Sequence, residues 1–370
     1  MLHKRIVAKF GTKLLTGGTD KLDLAIISNL VDQVARLHHN RHEILIVTSG
    51  AVAAGRNKLN LDKDSKDVPF RQVLSSLGQS QLMYVYEQLF IKYNINIAQA
   101  LLTRADLINR AGYLNARNTL LSLIEFRVIC IVNENDVVAT DELEGTSFGD
   151  NDNLSAMVAT LVNADLLVLL TDIDGLFTSD PHLDKKAKLL SRVDKIDSKI
   201  QRLAGGTANK LGTGGMSTKI QAARLATSCG TSVIIANGYK PDNLVKIANG
   251  NNIGTLFPAF SEKMESKKRW IISGLASKGK IVIDSGAVLA LSNQNKSLLP
   301  AGVIGLEGKF QRGDVVDIYD NKGNRIGCGI SNYTWKETGI IKGAHSADIS
   351  ALLGYDYGSE IIHRNNMALV

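Results

Sequence analysis

Cysteine is scarce in this chain of 370 residues, and the three present, Cys130, Cys229 and Cys328, are odd in number and far apart. That spacing suggests neither a disulfide framework nor a zinc site, and each thiol sits in a strand-like or helical apolar pattern that reads as core. Long hydrophobic runs are missing as well. Stretches such as Leu166 to Leu170 reach only five residues, far short of a membrane helix. The opening residues MLHKRIVAKF are charged where a secretory signal needs an apolar segment, so the expectation is a soluble cytoplasmic protein. A strong excess of one charge is also absent. Lys and Arg number 43 against 36 Asp and Glu, a net of +7, and the surplus is spread along the chain rather than gathered into a basic module. No internal repeat, low-complexity tract or Ser-His-Asp hydrolase motif appears.

What is present is a regular alternation over the first 257 residues. Apolar runs at IVAKFG, EILIVTSGA, INIAQALLT, VICIVNEND, DLLVLLTD and TSVIIANG read as buried strands of a parallel α/β sheet. Helical periodicity falls between them, at Leu22 to Leu37, Gln79 to Tyr93, Leu114 to Glu125 and Leu154 to Asn163, enough to cover both faces. The polar stretch 258–276, opened by Pro258, reads as a linker. Beyond it, KIVIDSGAVLAL, GVIGLEGKFQRGDVVDIYD and RIGCGISNY are short alternating segments joined by turn residues, so 277–370 is expected to form a small, mostly β, barrel-like domain and tail.

The segment GTGGMSTK, Gly212 to Lys219, leads three glycines into a helix start. Ala222, Leu225, Ala226 and Cys229 then follow the stripe of a buried helix face, and Gly230 ends it. Ser217 or Thr218 is the expected N-cap, and the unsatisfied N–H groups of the first turn favour an anion there. Lys219 sits where the helix dipole disfavours a cation, so an anionic partner or solvent exposure is expected to explain it. The order of residues fits neither a Walker A loop nor a dinucleotide fingerprint. On composition alone a glycine-rich surface loop remains an alternative.

Ligands of open α/β sheets gather at the carboxyl ends of strands. The first strand ends in Lys9 and Gly11, where a lysine this close to the core calls for an anion unless it snorkels outward. The second ends in Thr48, Ser49, Gly50 and Ala51. The fourth ends in Asn133 to Asp136, and the loop GDNDN, Gly149 to Asn153, follows. These two loops hold a density of amides and acids suited to a polar ligand, although one of Asn151, Asp152 or Asn153 is also expected to cap the helix near Leu154. The fifth ends in Thr171 and Asp172, with Asp174 and Gly175 in a turn. His38 and His42 at helical spacing lack a third ligand nearby and suit a helix C-terminus better than a metal.

The set VAKFGT, IVTSGA, LLTRAD, NEND, GDNDNLSA, LLTD and GTGGMSTK, in this order, resembles the amino acid kinase family. SLLPAGV, FQRGDVV and LLGYDYG resemble a PUA domain. The resemblance implies a kinase domain at 1–257 with an αβα sandwich and a mostly parallel sheet. It also implies transfer of the γ-phosphoryl of ATP to the side-chain carboxylate of L-glutamate, the first step of proline synthesis. Carried onto these positions, it makes Lys9, Lys219 and Asp152 catalytic, with Asp152 orienting the lysines. Ser49, Gly50, Asn133, Asp136, Asp150 and Asn151 would bind glutamate, and Lys9, Thr171, Asp172, Thr213, Gly214, Gly215, Met216, Ser217, Thr218 and Lys219 would bind ATP. Mg²⁺ is implied as cofactor without assigned protein ligands, proline as feedback inhibitor, and self-association as a homo-oligomer. The passage between Asp141 and Gly149 is longer than the family pattern and leaves the substrate lid open. Alternatives are kinases of acetylglutamate, aspartate, carbamate or uridylate, and an RNA-binding or RNA-modifying PUA protein.

Overall fold

The computed structural model describes residues 3–61, 67–139, 151–181, 183–205, 215–260, 277–294 and 296–369. The chain divides into two units, Met1–Leu107 with Ala116–Ser261, and Ile108–Asn115 with Glu262–Val370.

In the first unit β1 (Arg5–Phe10), β2 (Glu43–Val47), β3 (Ile97–Leu102), β4 (Ile129–Glu134), β5 (Leu166–Thr171), β6 (Ser232–Asn237) and β7 (Thr255–Phe257) form one sheet in the order β3-β4-β2-β1-β5-β6-β7. All neighbours run parallel except β6 and β7, so the sheet is mostly parallel with an antiparallel edge that the sequence pattern did not reveal. The central strands are buried on both faces, as continuous Val, Ile and Leu runs require. Alternation then sorts the side chains. Ile6, Ala8, Phe10, Ile44, Ile46, Leu166, Val168 and Leu170 share one core with residues of α2 (Leu24–His39), α4 (Val68–Phe90) and α10 (Asn243–Ala248). Val7 and Lys9 take the opposite parity, toward α7 (Asn151–Leu161), which packs on β1 and on α9 (Met216–Ser228).

Three expectations about helix ends change. Helix α4 begins with Asp67 as N-cap, its carboxylate accepting from the Phe70 N–H, about three turns before the segment expected at Gln79. Helix α7 begins at Asn151, so Asn151, Asp152 and Asn153 occupy its first turn instead of capping a helix at Leu154. Helix α9 starts at Met216 with Gly215 as N-cap and no side-chain cap. The Ser217 and Thr218 capping expectation is therefore wrong, and Thr218 turns inward instead. The buried face of α9 carries Thr218, Lys219, Ala222, Ala223 and Ala226, whereas Leu225 is exposed. The stop at Gly230 holds, with a left-handed φ of 83°.

In the second unit β8 (Gly279–Ile283), β9 (Val303–Gly308), β10 (Val315–Asp320), β11 (Arg325–Ile330) and β12 (Met367–Leu369) form a mixed sheet in the order β12-β11-β10-β8-β9. Its core gathers Ile281, Ile283, Phe310, Val316, Ile318, Tyr333, Ile341 and Ile362. The apolar run after Asp284 is a helix, Ser285–Gln294, rather than the strand expected there. The Asp284 carboxylate accepts from the Ala287 N–H at 2.7 Å, and Ala and Leu then propagate the helix.

Candidate active site

The parity of β1 decides where the site forms. Lys9 lies one residue from the strand end, 4% exposed, on the face that α7 and α9 cover. Asp152 is fully buried in the first turn of α7, and Lys219 is 6% exposed at the start of α9. The three side chains meet. Lys9 Nζ lies 2.5 Å from Asp152 Oδ1, and Lys219 Nζ lies 3.1 Å from Oδ2. Thr218 Oγ1 donates to the same Oδ2 at 2.8 Å. Burial would push the Asp152 carboxyl up, but the Lys9 and Lys219 ammonium groups and the Thr218 hydroxyl override it and hold the acid well below the ordinary carboxylate range. Neither lysine snorkels, and the anionic partner expected for Lys219 is Asp152.

Gly11 adopts an extended backbone as N-cap of the short helix α1 (Thr12–Leu15). An added Cβ would sit 3.5 Å from Lys9 Nζ, an ordinary contact, so local packing does not demand glycine there. Gly50 is different. It caps α3 (Ala51–Lys58) at φ 98°, where a side chain is strained.

The amides and hydroxyls of the second and fourth strand ends are linked. Asn151 Nδ2 donates to Ser49 Oγ at 2.9 Å and to Asn133 Oδ1 at 3.3 Å. Asn133 Nδ2 donates to Gln79 Oε1 at 2.8 Å. Ser75 Oγ donates to Asp136 Oδ2, beside a small cavity lined by Val52, Val68, Arg71, Gln72 and Glu134. Burial raises the Asp136 carboxyl above its usual value, against the opposing Ser75 hydrogen bond and the Arg71 charge. Thr48 is buried and shares a 2.8 Å hydrogen bond with the Tyr86 hydroxyl, supporting the turn from beneath. Ser75 and Gln79 were missed in the sequence. Their signal was two polar residues one helical turn apart within the otherwise buried stripe of α4.

At the end of β5, Thr171 Oγ1 donates to Asp172 Oδ1 at 2.9 Å, and Asp172 is exposed. Asp174 accepts from Asn237 Nδ2 at 3.0 Å and from Lys240 Nζ at 2.8 Å. Those partners, one ending β6 and the other just beyond it, were also missed. Gly215, Met216, Ser217 and Thr218 form the helix start beside Lys219. Asp150, Thr213, Gly214 and the passage between Asp141 and Gly149 lie outside the described residues. His38 and His42 each direct one ring nitrogen at a backbone carbonyl. His38 Nε2 bonds the Arg127 carbonyl at 3.0 Å and His42 Nδ1 the His3 carbonyl at 2.7 Å. Among the described residues, no cluster of three His, Cys, Asp or Glu could hold a metal, and no helix is long and apolar enough to cross a membrane.

Comparison with known proteins agrees with this architecture. Residues 4–237 match the amino acid kinase family and residues 279–353 the PUA domain. Glutamate 5-kinase of Dehalococcoides mccartyi is 54% identical over 100% of this chain and 99% of its own length. The glutamate 5-kinases of Haemophilus influenzae and Shewanella oneidensis are 48% and 46% identical, each over 100% of this chain and over 100% and 98% of their own lengths. The chain belongs to the amino acid kinase family and, within it, to the glutamate 5-kinases, with a PUA domain following the kinase domain.

Proposed function

We propose that this protein transfers the γ-phosphoryl group of ATP to the side-chain carboxylate of L-glutamate, releasing ADP and L-glutamyl 5-phosphate, the first step of proline synthesis. The observation that carries the mechanism is the meeting of two lysines on opposite oxygens of one buried carboxylate. Phosphoryl transfer needs positioning and charge stabilisation more than covalent chemistry. Here an anionic acceptor approaches a polyphosphate, which makes cations on the migrating group the chief requirement. Lys9 and Lys219 supply them. Asp152 fixes both ammonium groups before substrate arrives.

A glutamate carboxylate, with an ordinary pKa of about 4.3, is ionised at neutral pH. It attacks the γ-phosphorus as its own nucleophile, the bond to the bridging oxygen breaks, and no proton needs to be removed. Asp152 is thus an orienting group and not a base. Ser49, Gly50, Asn133, Asp136, Asp150 and Asn151 bind the amino acid, acids meeting its ammonium and amides its carboxylates. Thr171, Asp172 and the run from Thr213 to Lys219 hold the nucleotide. Because Gly215 contributes no capping side chain, the first N–H groups of α9 remain available for phosphate oxygens.

Mg²⁺ fits this donor set as an ion carried mainly by the phosphates. Asp152 is committed to two lysines, and Asp172 is the exposed carboxylate at the neighbouring strand end suited to complete its shell. When bound, the ion would neutralise charge on the polyphosphate.

The test is ATP-dependent acyl phosphate formation trapped with hydroxylamine, comparing glutamate with acetylglutamate, aspartate and carbamate. Glutamate is expected to be the preferred acceptor, and Lys9→Ala and Lys219→Ala to be inactive. Full activity in both variants would refute the two-lysine mechanism.

A further inference from the structure

Helix α4 sends two polar side chains toward the amides and acid of the fourth strand end. Ser75 and Gln79 are 4% and 8% exposed. They share a stripe with Leu74, Gly78, Leu82, Tyr86 and Phe90, where a polar residue needs a partner. Ser75 finds Asp136, and Gln79 finds Asn133.

The direction of the amide chain follows from one backbone donor. The Glu134 N–H donates to Asn133 Oδ1 at 2.9 Å, so Asn133 must turn its nitrogen toward Gln79, and Gln79 must present its carbonyl oxygen. The same Asn133 oxygen accepts from Asn151, whose nitrogen also reaches Ser49. Donation therefore runs outward from Asn151, to Ser49 on one side and through Asn133 to Gln79 on the other. Within this run of amides, Gln79 Nε2 is a buried donor and Asn151 Oδ1 a buried acceptor with no hydrogen-bond partner among the described residues. Two glycines set the height of α4. A Cβ at Gly78 would lie 1.8 Å from the Ala51 oxygen, and one at Gly55 1.9 Å from the Leu74 oxygen, so α3 and α4 touch backbone to backbone at Leu74 and Gly78, the residues that immediately precede Ser75 and Gln79.

We propose that Ser75 and Gln79 are positioning residues for the amino-acid substrate, Ser75 acting through Asp136 on the α-ammonium and Gln79 acting through Asn133 and Asn151 on the carboxylates. This rests on the glutamate reading of the site. It makes α4 the element that distinguishes an α-amino diacid from the same diacid without its amino group.

The test is steady-state kinetics of the full-length protein with glutamate and with glutarate, which lacks the ammonium. Ser75→Ala is expected to raise KM for glutamate about tenfold, the scale of a lost hydrogen bond to a charged group. KM for ATP should stay unchanged, and the preference for glutamate over glutarate should shrink by a similar factor. Ser75→Thr should restore most of it. Gln79→Met should raise KM for glutamate without altering KM for ATP, and if that variant fails to fold the serine pair carries the test. Added to Asp136→Asn, Ser75→Ala should cost little more, whereas a purely structural serine would give additive losses and overturn the inference. Wild-type protein that forms no acyl phosphate from glutamate overturns the substrate reading and this inference together. An active wild type whose Ser75→Ala variant keeps its glutamate KM and its preference overturns this inference alone.

Discussion

Lys9 Nζ and Asp152 Oδ1 are 2.5 Å apart, one carried on the central strand β1 and the other on the first turn of α7. A buried ion pair of this kind is costly to assemble and costlier to break. Asp152→Ala leaves two lysines crowded beneath α7 and α9, and a loss of about 3–5 kcal/mol in unfolding free energy is expected. Urea denaturation of wild type and variant measures it. A change below about 1 kcal/mol would show that the carboxylate does not organise this region.

Stability should fall in acid partly through the same residue. The Asp152 carboxyl is held low in the folded protein, so its pairing stabilises the fold above the ordinary aspartate value of 3.8, and that contribution is lost as pH falls through the lowered value. Denaturation midpoints followed below pH 5 should be less steep in pH for Asp152→Asn than for wild type. Equal slopes would contradict the assignment.

Asp136 should behave oppositely. Burial raises its carboxyl, so protonation is favoured by folding, and the associated stability is present below the ordinary value of 3.8 and lost as pH rises through the folded one. The acid should also lose its grip on an ammonium over that same interval as pH falls. The expected result is a glutamate KM that climbs toward acid in wild type, with a flatter profile in Asp136→Asn. A wild-type profile as flat as the variant's would count against Asp136 as the ammonium partner.

Thiol chemistry offers a check on packing. Cys130 is fully buried in β4, and burial pushes its thiol up to about 12, leaving almost no thiolate at neutral pH. Burial also raises the Cys328 thiol. Cys229, at the end of α9, is half-buried. A disulfide reagent should therefore modify one thiol quickly in the native protein and all three only after unfolding. Three equally fast thiols would contradict the core described here.

Much of this site was legible in the sequence because its residues stand at element ends. Lys9, Ser49, Asn133 and Thr171 end or follow parallel strands, where the topology of an α/β sheet directs ligands. Asp152 and Lys219 were visible in their loops, and the family resemblance implied that Asp152 orients both lysines, but the residue pattern alone did not bring them to Lys9, since that depends on which face of β1 the helices α7 and α9 cover. The helix starts were misjudged for a related reason. Ser217 and Thr218 have the chemistry of caps, yet tertiary contact took Thr218 to Asp152 and left Gly215 at the cap. Ser75 and Gln79 were hidden inside a helical pattern, where two polar residues in a buried stripe carry little signal until their partners are known. The edge strand β7 is three residues long, too short for alternation to declare it.

The alternation along β1 has an evolutionary corollary. Ile6, Ala8 and Phe10 face the α2 and α4 layer while Lys9 faces α7, so deleting or inserting one residue before Lys9 would exchange the two sets. An ammonium group would then be driven into an aliphatic layer, and Asp152 would keep one lysine of its two. Loops elsewhere in the chain can lengthen by single residues at little cost, but this strand tolerates changes of identity far better than changes of length.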